Sequence, residues 1–139
     1  MRRERIRTAQ RRPAHDRAVE TRGVPLAIDG TPVDLHIRVF AHFVARARGL
    51  LGCDAARYVD GVRLEPCRAI HTMGMSRSID VVFVDEVGRV LRVAAELPPW
   101  RVARHATARA VYELPAGAAA RYGIGVGRCL ALWQDGAAR

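Results

Sequence analysis

Between Cys67 and Asp80 the chain gathers a thiol, an imidazole, a carboxylate, a threonine hydroxyl and two guanidinium groups around a single glycine. They belong to Cys67, His71, Asp80, Thr72, Arg68 and Arg77, and the glycine is Gly74. Cys67 and His71 are four residues apart, so on an extended strand they share a face, as two metal ligands or a thiolate and its base would. A catalytic dyad also needs an oxyanion hole and a group that orients the base, and the sequence identifies neither. A buried cysteine beside a hydrogen-bonded histidine is the commoner arrangement. Asp80 opens an apolar strand, where a carboxylate must find donors or raise its pKa. One reading makes it a general base or ligand anchor in a pocket with His71. The other, which we favour, has it accept backbone N–H bonds from the loop at residues 72–78 and pair with an arginine.

Other residues offer weaker chemistry. Met73 and Met75 flank Gly74 in a loop, where they line an adaptable pocket or fill the edge of a core. Glu113 either contributes to the rim of a site or forms an ordinary ion pair with Arg101 or Arg92. The run Gly123-Ile-Gly-Val-Gly127 suggests a phosphate loop but lacks the following Lys-Ser/Thr and the strand-to-helix context. Glycines there serve a sharp reversal equally well.

The surrounding elements must position these groups. Residues 81–84 are a run of apolar, mostly β-branched side chains closed by Asp85-Glu86-Val87-Gly88, which predicts a strand buried on both faces and ending in a turn. Upstream, Asp29-Gly30 separates two apolar runs and predicts a hairpin with a type I′ turn. In its second strand Leu35, Ile37 and Val39 alternate with Asp34, His36 and Arg38, which puts His36 on the wet face. Residues 40–51 change period, with Phe43, Ala47 and Leu50 at helical spacing before Gly52. Strands are expected at 61–66, 68–72, around 90–93, at 110–114 and from 129 to 133, with Pro98-Pro99 as a stop and a short Ala-rich helical turn up to Tyr122. Residues 100–107 lack any period and read as a surface loop.

Five motifs follow one another along the chain: Arg48-Gly-Leu-Leu-Gly52; Cys67-Arg-x-Ile-His-Thr-x-Gly-Met75 with Ile79-Asp80; Phe83-x-Asp85-x-x-Gly88; Pro99-Trp-Arg101; and Glu113-Leu-Pro-Ala-Gly117. Together they resemble the domain-of-unknown-function family number 192 over roughly residues 35–130. The resemblance implies a compact, mainly β domain of bacteria and archaea whose activity is not established. The resemblance implies that many members carry a tryptophan at the position of His71, and the His-Thr-x-Gly-Met form resembles an actinobacterial subgroup. A position that accepts Trp or His is poorly suited to obligatory acid–base chemistry. Ser78 stands where the family usually has a proline, and Arg128 where an acidic residue often follows the last glycine.

Composition bounds the remaining possibilities. A chain of 139 residues, half of them hydrophobic, supports one domain with a real core. The net charge is +9 and the pI near 11.0, but every basic residue is arginine, and residues 1–22 hold eight of them against Glu4, Asp16 and Glu20. The excess is thus largely a property of the N-terminal tail, which has no hydrophobic period and reads as disordered. The folded part does not interleave basic and aromatic residues, which argues against nucleic acid. Cys53, Cys67 and Cys129 form no Cys-x-x-Cys pair, and the histidines at 15, 36, 42, 71 and 105 are scattered, so neither a metal nor a cofactor is expected. No apolar window is long enough to span a membrane and no h-region follows the basic N-terminus, so a cytoplasmic location is expected.

The sequence therefore predicts a tail at 1–22, one β-rich domain at 23–134 and a frayed end at 135–139. The fold expected is an antiparallel β-sandwich or barrel with one or two short helices. The leading functional expectation is a noncatalytic binding or accessory module, monomeric, for a small molecule or a protein partner. Its site would comprise His71, Thr72, Met75, Asp80, Trp100, Arg101 and Glu113. The alternative is a small hydrolase-like enzyme using Cys67, His71 and Asp80. Nucleic-acid binding through the arginine tail is the weakest.

Overall fold

The computed structural model describes residues 23–40 and 60–139. The N-terminal tail and the helix expected at 40–51 lie outside the described residues, apart from Phe40, which ends a strand. Ten strands are described: β1 (Val24–Ile28), β2 (Thr31–Phe40), β3 (Gly61–Leu64), β4 (Ala69–His71), β5 (Ile79–Val84), β6 (Val90–Leu97), β7 (Val102–Arg104), β8 (Ala110–Pro115), β9 (Leu130–Gln134) and β10 (Ala137–Ala138). A short helix, α1 (Ala118–Tyr122), lies between β8 and β9. Eight strands form one sheet in the order β10-β9-β1-β2-β3-β8-β5-β6, and β4 pairs with β7 in a second. The chain is mainly β. Among the described residues the large sheet does not close into a barrel, and β10 and β6 are its ends.

The β1–β2 hairpin forms where Asp29-Gly30 predicts it, with both residues at positive φ, 49° and 83°. Asp29 strengthens the corner, since its carboxylate accepts the Cys129 N–H at 2.8 Å and pairs with Arg128 at 2.6 Å. Leu35 and Ile37 are buried as their alternation requires, but Val39 is 43% exposed. Strand β5 is buried along its whole length, between β6 and β8. Its turn is fixed by Asp85, whose Oδ1 accepts the N–H groups of Val87 and Arg89.

Alternation on β5 and β8 divides the core in two. Val82 and Val84 join Tyr112 and Leu114 with Leu26, Ile37 and Leu130 on one side of the sheet, over which α1 packs. Ile79, Val81 and Phe83 join Val111 with Val62 and Leu64 on the other, where Ile70 of β4 and Ala103 of β7 complete the cluster. The small sheet is thus a second layer laid on the large one, as in a compact β-sandwich.

Three expectations need correction. The sheet is not wholly antiparallel, because β2 and β3 pair in parallel, Ile37 opposite Gly61 through Phe40 opposite Leu64. Residues 41–60 between them give the length that a parallel crossover requires. Residues 100–107 are not all loop, since β7 pairs there with β4. The C-terminus is paired rather than frayed: Ala137 and Ala138 lie against Gln134 and Trp133 around a second Asp-Gly turn, Asp135-Gly136, with φ of 52° and 77°.

Candidate functional site

Among the described residues three polar side chains are buried: Thr72, Asp80 and Glu113. A buried polar group has to be paired or accounted for, and the three differ in this respect.

Asp80 is fully engaged by the backbone. Its Oδ1 accepts the N–H of Glu96 at 2.8 Å and its Oδ2 the N–H of Ala119 at 2.8 Å. Both donors are special positions. Glu96 sits at φ 50° near the end of β6, and Ala119 lies in the first turn of α1, whose N-cap residue, Gly117, has no side chain to cap it. Asp80 therefore caps α1 from a neighbouring strand. The sequence predicts backbone donors for Asp80 at residues 72–78. The bonds exist, but their donors are Glu96 and Ala119.

Thr72 ties two loops together. Its hydroxyl donates to the Pro98 carbonyl at 2.6 Å and accepts the Arg101 N–H at 2.9 Å. Its own N–H donates to the Arg101 carbonyl, and its carbonyl accepts the N–H groups of Met75 and Trp100. Met75 turns inward against the second core cluster. Met73 and Trp100 turn outward, 47% and 67% exposed, and Trp100 is held at φ 62°.

His71 lies opposite Val102 in the β4–β7 pair, and Ala69 opposite Arg104. In both strands the outer residues are exposed and the central one buried. The small sheet thus carries Ala69, His71, Val102 and Arg104 on its outer face, with the Trp100 and Met73 loops at one end. Arg92 braces this layer, its Nη1 donating to the Arg104 carbonyl at 2.9 Å. Cys67 precedes β4 and packs against the second core cluster, with its Sγ donating to the Ala69 carbonyl at 3.2 Å. The irregular backbone at residues 65–68 breaks the alternation that would have put Cys67 and His71 on one face. Cys67 points in, His71 points out, and Asp80 lies beneath α1 on the far side of the large sheet.

Glu113 is 6% exposed at the centre of β8, with Val62 of β3 and Val81 of β5 directly opposite it. Both valines belong to the second core cluster. Among the described residues the carboxyl group makes no hydrogen bond or ion pair, so neither Arg101 nor Arg92 is its partner. Burial in apolar surroundings pushes its pKa up to about 7.

The structure thus brings His71, Thr72, Trp100 and Arg101 together on one loop cluster and its sheet, with Met75 beneath. It sets Asp80 and Glu113 apart, on opposite faces of the large sheet. Sequence reasoning missed Val102 and Arg104, which lie in the stretch read as loop. One signal was available: residues 66–78 and 98–109 contain arginines and histidines but no aspartate or glutamate.

Comparison with curated proteins finds no match. Two solved structures share the fold. One is a protein of unknown function from Novosphingobium aromaticivorans DSM 12444, with a TM-score of 0.64 and 24% identity, covering 76% of this chain and 82% of that one. The other is a proposed transcription regulator from Sinorhizobium meliloti 1021, with a TM-score of 0.63 and 15% identity, covering 79% and 95%. At these identities the likeness shows the fold alone. The family model of DUF192, Uncharacterized ACR, matches residues 24–132, most of the chain and all of its core strands. The chain belongs to the DUF192 family.

Proposed function

We propose that the domain is a noncatalytic binding module whose binding surface is the outer face of β4 and β7, together with the loop tips that carry Met73 and Trp100. The supporting observation is the way Trp100 is presented. A non-glycine residue at positive φ costs of order 1–3 kcal/mol and persists only where its surroundings hold it. Here the Trp100 N–H is bonded to the Thr72 carbonyl at 3.0 Å, and the Thr72 hydroxyl bonds Pro98, two residues before it, and Arg101, the residue after it. An exposed indole held on a fixed backbone loses little freedom when it is covered, which is the property of a binding anchor. Met73 and Val102, also exposed, extend the apolar surface. Cys67, His71 and Asp80 point in three directions, so the proposal needs no reaction.

The test uses the two tryptophans of the chain. In a Trp133→Phe background Trp100 is the only indole, and its emission is followed during titration with peptides, nucleotides and free amino acids. A binding module predicts that at least one class shifts the emission, and that Trp100→Ala abolishes binding without lowering the melting temperature. No shift with any class, or a Trp100→Ala variant that unfolds, would overturn the reading.

A further inference from the structure

We infer that the outer face of β4 and β7 takes an acidic protein segment carrying an apolar anchor residue. The inference rests on the binding-module reading and adds the chemistry of the partner. Residues 66–78 and 98–109 supply this face and its rim, and they hold Arg68, Arg77, Arg101, Arg104 and Arg109 with His71 and His105, against no aspartate or glutamate. Arg68, Arg77, Arg101 and Arg104 are exposed. None of them forms an ion pair among the described residues, where the arginine pairs are Arg63 with Glu65 and Arg128 with Asp29. Guanidinium groups around an apolar patch, with no carboxylate in the segments that carry them and no ion pair among the described residues, are complementary to carboxylates brought by a partner.

The apolar part of the face selects a protein segment over nucleic acid. A strand-binding groove stacks successive bases on several aromatic rings. This face has one indole, and its other apolar groups, Met73, Val102 and Ala69, are aliphatic and suit an aliphatic side chain. Geometry adds a spacing rule. Val102 and Arg104 are two residues apart on one face of β7, so an apolar and a cationic contact lie about 7 Å apart along the strand. An extended segment with an apolar and an acidic residue at positions i and i+2 matches that spacing.

The experiment uses the full chain and a labelled twelve-residue peptide that repeats Ser-Leu-Ser-Glu, with binding read by anisotropy. The same peptide with Gln for Glu and a twelve-nucleotide oligothymidine serve as comparisons. The acidic peptide is expected to bind more tightly than its Gln counterpart, to weaken with added salt, and to lose about 3- to 30-fold in affinity on Arg101→Gln with Arg104→Gln. Arg121→Gln with Arg139→Gln removes the same charge elsewhere and is expected to leave affinity nearly unchanged. Equal loss in both double variants would reduce the effect to net charge and overturn the inference. Tighter binding of the oligothymidine through Arg101 and Arg104 would replace it with nucleic-acid binding. Equal binding of the Gln peptide, abolished by Trp100→Ala, would leave the binding face standing and remove its acidic partner. No binding by any probe, with Trp100 emission unchanged, would remove both.

Discussion

Asp80 on β5 and Glu113 on β8 stand one register position apart in adjacent strands, yet their carboxyl groups face opposite sides of the sheet. Asp80 lies opposite Leu114, and Glu113 lies opposite Val81. The pleat sends neighbours along a strand to opposite faces, so one carboxyl group meets two backbone donors, while the other lies on the apolar side with Val62 and Val81 opposite it in register. Two acidic residues on neighbouring strands therefore have different physical roles, and substitution separates them.

Asp80 holds the end of β6 and the first turn of α1 together through Glu96 and Ala119. Asp80→Ala leaves both N–H groups without their acceptor, that of Ala119 in a buried position and that of Glu96 in a partly buried one, and a loss of about 1–3 kcal/mol is expected. Asp80→Asn keeps one acceptor oxygen and is expected to retain part of the stability. Urea unfolding of the two variants beside the parent measures this, and an Ala variant as stable as the parent would falsify the capping role.

Glu113 makes stability depend on pH. Its pKa is raised by burial from 4.5 to about 7 in the folded protein, so the folded state holds a proton that the unfolded chain releases. The stabilisation is fully present below about pH 4.5 and is lost as pH rises through about 7. Between pH 5 and 8 the parent is expected to lose on the order of 3 kcal/mol from this group. Glu113→Gln cannot ionise, so it is expected to flatten this part of the profile and to exceed the parent in stability at pH 8. A variant with the parent's slope between pH 5 and 8 would show that Glu113 is not the titrating group.

Gly88 and Gly30 test the two ways in which a glycine is required. Both lie at positive φ, 85° and 83°. A Cβ on Gly30 meets nothing, whereas a Cβ on Gly88 strikes the carbonyl oxygen of Leu130, whose N–H donates to Gly88 at 2.8 Å. Gly30→Ala is expected to cost about 1–2 kcal/mol from backbone conformation alone. Gly88→Ala is expected to cost more, because β9 must also shift away. Thermal unfolding of both variants gives the comparison, and equal losses would mean that the chain relaxes around Gly88 freely.

Local signals in the sequence translated directly into structure, and long-range ones did not. The apolar run at Val81 to Val84 became a fully buried strand, and Asp29-Gly30 became the corner of a hairpin, since each depends on neighbouring residues only. The parallel pairing of β2 with β3 was invisible, because a strand pattern states which face is buried but not which strand lies alongside. Strand β7 buries only Ala103 between two exposed residues and leaves no period to detect. Asp135-Gly136 carried the same turn signal as Asp29-Gly30, but the alanines after it supplied no strand pattern. The partners of the site residues were equally distant: Asp80 binds residues 16 and 39 positions away, and Thr72 one 26 positions away. The residue types announced a need for hydrogen bonds, and only the fold identified the partners.

Thr72 is where scaffold and proposed surface meet, so its substitution tests both. Thr72→Val keeps the shape but removes the hydroxyl that donates to the Pro98 carbonyl and accepts the Arg101 N–H. Two backbone groups lose their partner, and a loss of about 1–3 kcal/mol is expected. Thr72→Ser keeps the hydroxyl and gives up one methyl group, so it is expected to recover most of that loss. The second readout is Trp100. With the hydroxyl gone, the Pro98 carbonyl and the Arg101 N–H lose their shared tie while the backbone bonds of Thr72 to Trp100 and Arg101 remain, and the indole gains freedom. In a Trp133→Phe background its fluorescence anisotropy is therefore expected to fall in Thr72→Val and to return in Thr72→Ser. A Val variant that loses stability but keeps the parent's anisotropy would show that Trp100 is held by other contacts, and would leave Thr72 a purely structural residue.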